Sequence, residues 1–159
     1  MEMVHLLHIS HLGKIVDMGI KDANNMGAAM APAALDTLLA HFNDTGRDPS
    51  YYDLIVTGDL GYIGKEILIE LAKNKEVPIS SNYNDCGVMI FDKESQDTHS
   101  GGSGCACIGS VFSGYLFKCL QDQKYKRILL IATGALTNST TVQQGETIPG
   151  IAHAVSVEL

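Results

Sequence analysis

From Gly104 to Phe117 the sequence reads Gly-Cys-Ala-Cys-Ile-Gly-Ser-Val-Phe-Ser-Gly-Tyr-Leu-Phe, without one charged side chain. A helix with this composition has no face that prefers water, so it is expected to be covered on all sides. A single sheet covers only one flank. The Gly, Ala, Ser and Cys residues at 104–110 are small enough for a second backbone to approach the other. Two arrangements meet this demand: a core helix closed over by a loop of its own chain, or a helix held between this chain's sheet and a second α/β half. The length of the uncharged stretch favours the second.

Around that helix, expected over about 104–121 and entered through a Gly- and Cys-rich turn from His99 to Cys107, strands and helices alternate. Residues 13–20 have the β-branched content of a first strand. A helix follows from Met26 to about Phe42, with Pro32 predicting a short first turn and a main helix from Pro32 onward, and Gly46, Asp48 and Pro49 end it. A strand at 53–57, a tight turn at 58–61 and a helix at 65–74 with Ile67, Leu68 and Leu71 at helical spacing come next. The apolar run from Cys86 to Phe91 reads as a third strand, followed by an acidic loop at 92–97. Residues 126–133 and 152–158 read as the last two strands, joined by a loop from Gly134 to Gly150 that is able to return the final strand antiparallel at an edge. The expected fold class is α/β, with a five-stranded, mixed, mostly parallel sheet and helices on both faces.

The chain has 159 residues, 45% hydrophobic and 18% charged, enough for one domain with a substantial core. We divide it into a lead-in at 1–12 and one domain at 13–159. With 11 basic against 18 acidic side chains the net charge is −7, a field that repels nucleic acid and anionic lipid. Cys86, Cys105, Cys107 and Cys119 fall in segments that read as strand or apolar helix, so reduced thiols are expected. The first ten residues lack the pattern of an export signal, and no apolar run approaches the ~20 residues of a membrane-spanning helix.

Some residues stand where chemistry is done. Asp59 follows a parallel strand, at the edge where open α/β sheets bind ligands; it also fits a residue that closes the turn and caps the next helix. The run Gly58-Asp59-Leu60-Gly61-Tyr62-Ile63-Gly64 partly matches a dinucleotide loop but lacks the Gly-x-Gly opening. Cys105 and Cys107 at a helix start fit either thiols with a lowered pKa or buried small residues. His153, Gln143, Gln144 and Glu146 lie at or before the last strand. No Cys or His cluster has metal-site spacing, and neither a metal nor a cofactor is expected.

Five segments carry more than composition does. They are Asn25-Met26-Gly27-Ala28-Ala29-Met30-Ala31-Pro32-Ala33-Ala34, Thr57-Gly58-Asp59-Leu60-Gly61, Asn82-Tyr83-Asn84-Asp85-Cys86-Gly87, His99 to Cys107, and Gln143 to Val155. In this order the chain, from about Gly13 to its end, resembles the stage V sporulation protein AD family of endospore-forming bacteria. The resemblance implies a thiolase-like fold of two similar βαβαβαββ halves in α-β-α-β-α layers, of which this chain is similar to the C-terminal half. The third helix of each half then lies in the central layer.

The resemblance further implies a non-catalytic, dipicolinic-acid-binding part of the spore inner-membrane SpoVA channel complex, which moves dipicolinate, largely as its calcium chelate, into the forming spore and out at germination. It implies a peripheral membrane location, membrane proteins of that complex as partners, and either a missing N-terminal half or a second copy beside this chain. In related enzymes the nucleophilic cysteine lies in the other half. His99, just before the third helix, is the nearest counterpart of a supporting group; it also fits a loop histidine bonded to nearby backbone. Gly58-Asp59-Leu60-Gly61 stands where condensing enzymes carry a His or Glu motif, and no cysteine follows Cys119, so both departures speak against catalysis. A dicarboxylate meeting a chain of net charge −7 needs local donors, which the amides around Ser103 and Gly104 offer. The expected ligand-binding residues are thus His99, Asp59, Ser103, Gly104 and Cys105. Two alternatives stay open: an acyl-transferring or condensing enzyme of the thiolase or ketoacyl-synthase kind using coenzyme A thioesters, and an inactive product of a split reading frame.

Overall fold

Alternation along the strands sorts the apolar side chains onto two faces. Ile55, Leu129, Ile131, Ala152 and Ala154 enter one buried cluster, and Leu54, Val56, Ile128, Leu130 and Val157 enter another on the opposite side. Sequence patterns that bury both faces of a sheet require helices on both, and this is what the chain builds. The computed structural model describes residues 7–102 and 104–159.

The strands are β1 (Leu7–Leu12), β2 (Leu54–Thr57), β3 (Tyr83–Asp85), β4 (Arg127–Ala135) and β5 (Gly150–Glu158), in the order β1-β5-β4-β2-β3. β2 pairs parallel with β3 and β4, and β5 pairs antiparallel with β4 and β1, so β5 alone opposes the other four. The mixed α/β class is as expected. The final strand does turn back antiparallel, but it lies inside the sheet, because β1 takes the edge beyond it.

Helices α1 (Met26–Thr45) and α2 (Gly61–Asn74) cover the first face. On the second lie α3 (Cys86–Ile90) and a continuous helix made of α4 (Cys107–Val111), a π-helical turn (Phe112–Leu116) and α5 (Phe117–Gln121). A short α6 (Ser139–Gln143), closed by a capping box between Asn138 and Thr141, interrupts the connection read as loop. Each fully buried Leu or Ile in these layers, such as Leu38, Leu68, Leu116 and Leu120, contributes about 2 kcal/mol.

Three expectations change. α1 is unbroken from an Asn25 cap to a left-handed Gly46, because Pro32 forfeits a single backbone bond while Ala31, Ala33 and Ala34 on either side are fully buried. The first strand is Leu7–Leu12 rather than 13–20. At Gly13 the chain leaves the sheet, its N–H donating to His153 Nδ1 at 3.1 Å, and beyond it only Val16 returns, bridging Gly150. Ile15 and Met18 in that stretch are exposed. The apolar run from Cys86 is helical, and the third strand lies just before it at Tyr83–Asp85. There the Asp85 carboxylate accepts the N–H groups of Gly87 and Val88, an N-cap that turns a strand-like sequence into a helical turn.

The uncharged helix is covered on one side within this chain. Cys107, Val111, Leu116, Cys119 and Leu120 face the sheet, whereas Gly109, Ser110, Ser113, Gly114 and Tyr115 are exposed. Beside α4 an apolar groove of about 260 Å³ runs between Ile108, Phe112, Leu130, Ala132, Val155 and Val157, where the sheet carries no helix.

Candidate functional site

The turn after β2 is built around one buried carboxylate. Asp85, at the end of the neighbouring β3 and fully buried, accepts the Thr57 hydroxyl at 2.6 Å, the Leu60 N–H at 2.9 Å and the Gly61 N–H at 3.0 Å. With Thr57 donating to Asp85, the Tyr83 hydroxyl donates to Thr57 Oγ1 at 2.7 Å. Burial raises the Asp85 pKa, and the hydrogen bond from Thr57 and those from Leu60 and Gly61 oppose the rise. Gly61 has φ +68°, and Ser100 O and Gly101 occupy the space that a Cβ there would need. Tyr62 N–H donates to Ser100 O at 2.8 Å, which pins the Gly-rich turn against the start of α2.

This clamp presents Asp59 at the carboxyl ends of β2 and β4, half-buried. Thr133 Oγ1 donates to Asp59 Oδ1 at 3.0 Å and accepts the Asp59 N–H at 3.3 Å, so strand β4 fixes the orientation of the carboxyl group. Burial raises the Asp59 pKa above the ordinary carboxylate value; Thr133 works against this and the Asp85 charge adds to it.

Asp59 stands in a cleft of about 460 Å³, walled by the start of α1 with Asn24, Met26 and Met30, by Leu60, by the turn at Ser100–Gly102 and Gly104–Cys105, and by Thr133–Ala135. Three residues expected at a site, Asp59, Gly104 and Cys105, meet here, and Ser103 lies outside the described residues. His99 is not part of the lining. It has φ +50°, its side chain is 86% exposed, and its Nδ1 lies 3.6 Å from Asp97. His153 faces the apolar groove on the other side of β4 and β5, and Gln143, Gln144 and Glu146 are exposed. Burial, the largest influence, raises the Cys86 pKa far above the ordinary thiol value. No group of three or more His, Cys, Asp or Glu side chains among the described residues is placed to hold a metal ion.

Asp85 was missed as a site residue, although an Asp that closes a strand and is followed by Gly carries the mark of an N-cap. Thr133 and the α1 wall have no local signal. They come from β4 and from residues about thirty positions ahead of Asp59; the parallel pairing of β2 with β4 brings Thr133 there, and the packing of α1 on the sheet and on α2 brings the wall.

Residues 2–158 match the model of the stage V sporulation protein AD family. The chain belongs to that family. It is 46% identical over 147 residues to the stage V sporulation protein AD of Bacillus subtilis (strain 168), an alignment that covers 92% of this chain and 43% of that relative. The chain thus spans less than half the length of this stage V sporulation protein AD. Among the described residues no helix is long and apolar enough to cross a membrane.

Proposed function

We propose that this chain is a non-catalytic, dipicolinic-acid-binding component of the spore inner-membrane SpoVA channel complex, acting in dipicolinate uptake during sporulation and release in germination. Membership of a family named for stage V of sporulation supports the biological setting. The observation that carries the binding role is the cleft at the carboxyl edge of β2 and β4. Its volume of about 460 Å³ suits a small ligand. Met26, Met30 and Leu60 offer apolar surface to a flat aromatic ring, and the side chains of Asn24 and Ser100 offer donors to its carboxylates.

In this reading the apolar groove beside α4, with the exposed Gly109, Ser110 and Gly114, packs against an N-terminal thiolase-like half, and the assembled protein sits peripherally on the membrane. The similarity to a relative more than twice as long supports such a half.

Calorimetric titration of pyridine-2,6-dicarboxylate into the chain tests the binding role, and one saturable site is expected. Cys105→Trp, at an exposed lining position, fills the cleft and removes binding with the thermal unfolding curve unchanged. Equal affinity in that variant would take the cleft out of the reading. Steady hydrolysis of an acyl-coenzyme A thioester would replace binding by acyl transfer.

A further inference from the structure

The cleft is unusual for an anion site, because its lining holds one carboxyl group, Asp59, and no Lys, Arg or His among the described residues. The surroundings do not supply the missing charge. The end of β3 adds the Asp85 carboxyl, α3 adds the Cys86 thiol and the mouth adds the Cys105 thiol, while α1 and β4 contribute the uncharged Asn24, Met26, Met30 and Thr133. Lys65, the nearest cation in sequence, is bound to Asn84 at 2.8 Å and does not line the cleft. A dicarboxylate entering here meets like charge.

Two devices reconcile two carboxylates at short range: a shared proton or a bridging cation. A cation would have Asp59 as its one side-chain carboxylate, since the Asp85 oxygens are already taken by Thr57, Leu60, Gly61 and Gly87. Calcium takes about 6–8 oxygen donors, so beyond the ligand's own carboxylates and Asp59 it would have to draw the rest from backbone carbonyls and water. A proton needs only an oriented carboxyl. The Thr133 hydroxyl and the Gly104 N–H both donate to this carboxyl group and fix its orientation, and its oxygens keep a lone pair for the acidic hydrogen.

We propose that Asp59 takes up one proton from solvent when the cleft takes a dicarboxylate, so that the ligand is held through a carboxyl–carboxylate hydrogen bond and is released as the pH rises. The inference rests on the dipicolinate reading and adds to it the charge state in which the site works. Asp59 becomes the residue that couples occupancy to pH. The burial of its carboxyl beside Asp85 already moves it toward the neutral form in the empty cleft.

The test is calorimetric titration of pyridine-2,6-dicarboxylate into the whole chain with EDTA present, over about pH 6.5 to 8.5, well above the ordinary carboxylate pKa so that the ligand stays fully ionised. Two buffers of different ionisation heat report the proton count. About one proton taken up per ligand is expected, with affinity falling about tenfold per pH unit. Asp59→Asn is expected to abolish the slope and to bind more tightly than the unaltered chain at the upper end of the range. A pH-independent affinity with no proton uptake overturns the proposal, as does an undiminished slope in Asp59→Asn or binding that appears only when calcium replaces EDTA. Should Asp59→Asn fail to fold, the proton count on the unaltered chain decides by itself. Absence of binding at every pH, with calcium or with EDTA, overturns the dipicolinate reading together with this inference, a result distinct from binding without pH dependence.

Discussion

The carboxylate of Asp85 and the hydroxyl of Thr57 lie 2.6 Å apart, fully buried, and join β3 to β2 directly beneath the cleft. The same carboxylate holds the N–H groups of Leu60, Gly61 and Gly87. Removing it strands several donors at once, and a buried donor left unpaired costs about 1–3 kcal/mol. Asp85→Ala is therefore expected to lower stability by about 3 kcal/mol or more, read as a shift of the urea midpoint. Asp85→Asn, which keeps one acceptor oxygen, is expected to fall between the two. A loss within 0.5 kcal/mol, about the effect of a surface substitution, would show that the clamp contributes little.

Gly61 tests the same turn from its backbone side. Its φ of +68° costs a non-glycine residue about 1–2 kcal/mol, and an added Cβ would also strike Ser100 O. Gly61→Ala is expected to destabilise the chain by at least that amount and to weaken ligand binding, because the turn at Ser100–Gly102 must move away from the cleft. Gly46, also left-handed at φ +66° but with open space around it, is the control: Gly46→Ala carries the backbone cost alone and leaves binding intact.

At the opposite end of the sheet a buried relay sets an acid limit. Arg47 Nη1 donates to Glu158 at 2.6 Å and to the Tyr52 hydroxyl at 3.0 Å, and that hydroxyl is hydrogen-bonded to His41 Nε2 at 2.6 Å. Burial first, then the charge of Arg47 and the neighbouring His11, push the His41 pKa down to about 4, against the pull of Asp44 and Glu158. The unfolded chain binds this proton near pH 6.5, the folded chain only near 4. The stability that neutral His41 provides is therefore complete above about pH 6.5 and is lost as the pH falls toward 4, by up to about 3 kcal/mol. Urea unfolding across that window should show the slope, and His41→Gln should lower stability at neutral pH while flattening it. Equal slopes in both proteins would assign the acid sensitivity to other groups, such as Glu158, whose pKa is lowered in the fold.

The groove beside α4 makes a prediction about assembly. Ala132 is exposed on its floor, so Ala132→Glu should change stability by no more than about 0.5 kcal/mol. In sedimentation experiments the unaltered chain is expected to associate with the N-terminal part of the Bacillus subtilis relative, and Ala132→Glu to prevent it. Association of the chain with itself in place of that partner would assign the groove to a second copy.

Much of this molecule is legible from local pattern. The helix starting at Met26, the body of α2 from Lys65 to Asn74, though not its first turn at Gly61, the strand through Ile55 and Val56, and the long helix ending at Gln121 follow from apolar periodicity. Asp59 is legible too, as an acidic residue in a glycine turn after a strand. What escaped reading is nonlocal. Leu7–Leu12 is a strand because β5 offers it an edge, and Cys86–Ile90 is a helix because Asp85 caps it while holding a turn twenty-four residues earlier in the chain.

By itself the sequence determined the alternation of elements, the two buried faces of the sheet and the uncharged flank of the α4–α5 helix, since each depends on side chains close together along the chain. Tertiary structure alone decided the cleft. Asp59, Thr133, Met30 and the glycine turn become neighbours only in the folded sheet and its helices, and the same packing half-buries the Asp59 carboxyl and, among the described residues, places no cation in the cleft lining. That helix is where we propose that this chain meets more protein, while the function proposed for it is carried at the far edge of the strands, by residues whose proximity no local pattern records.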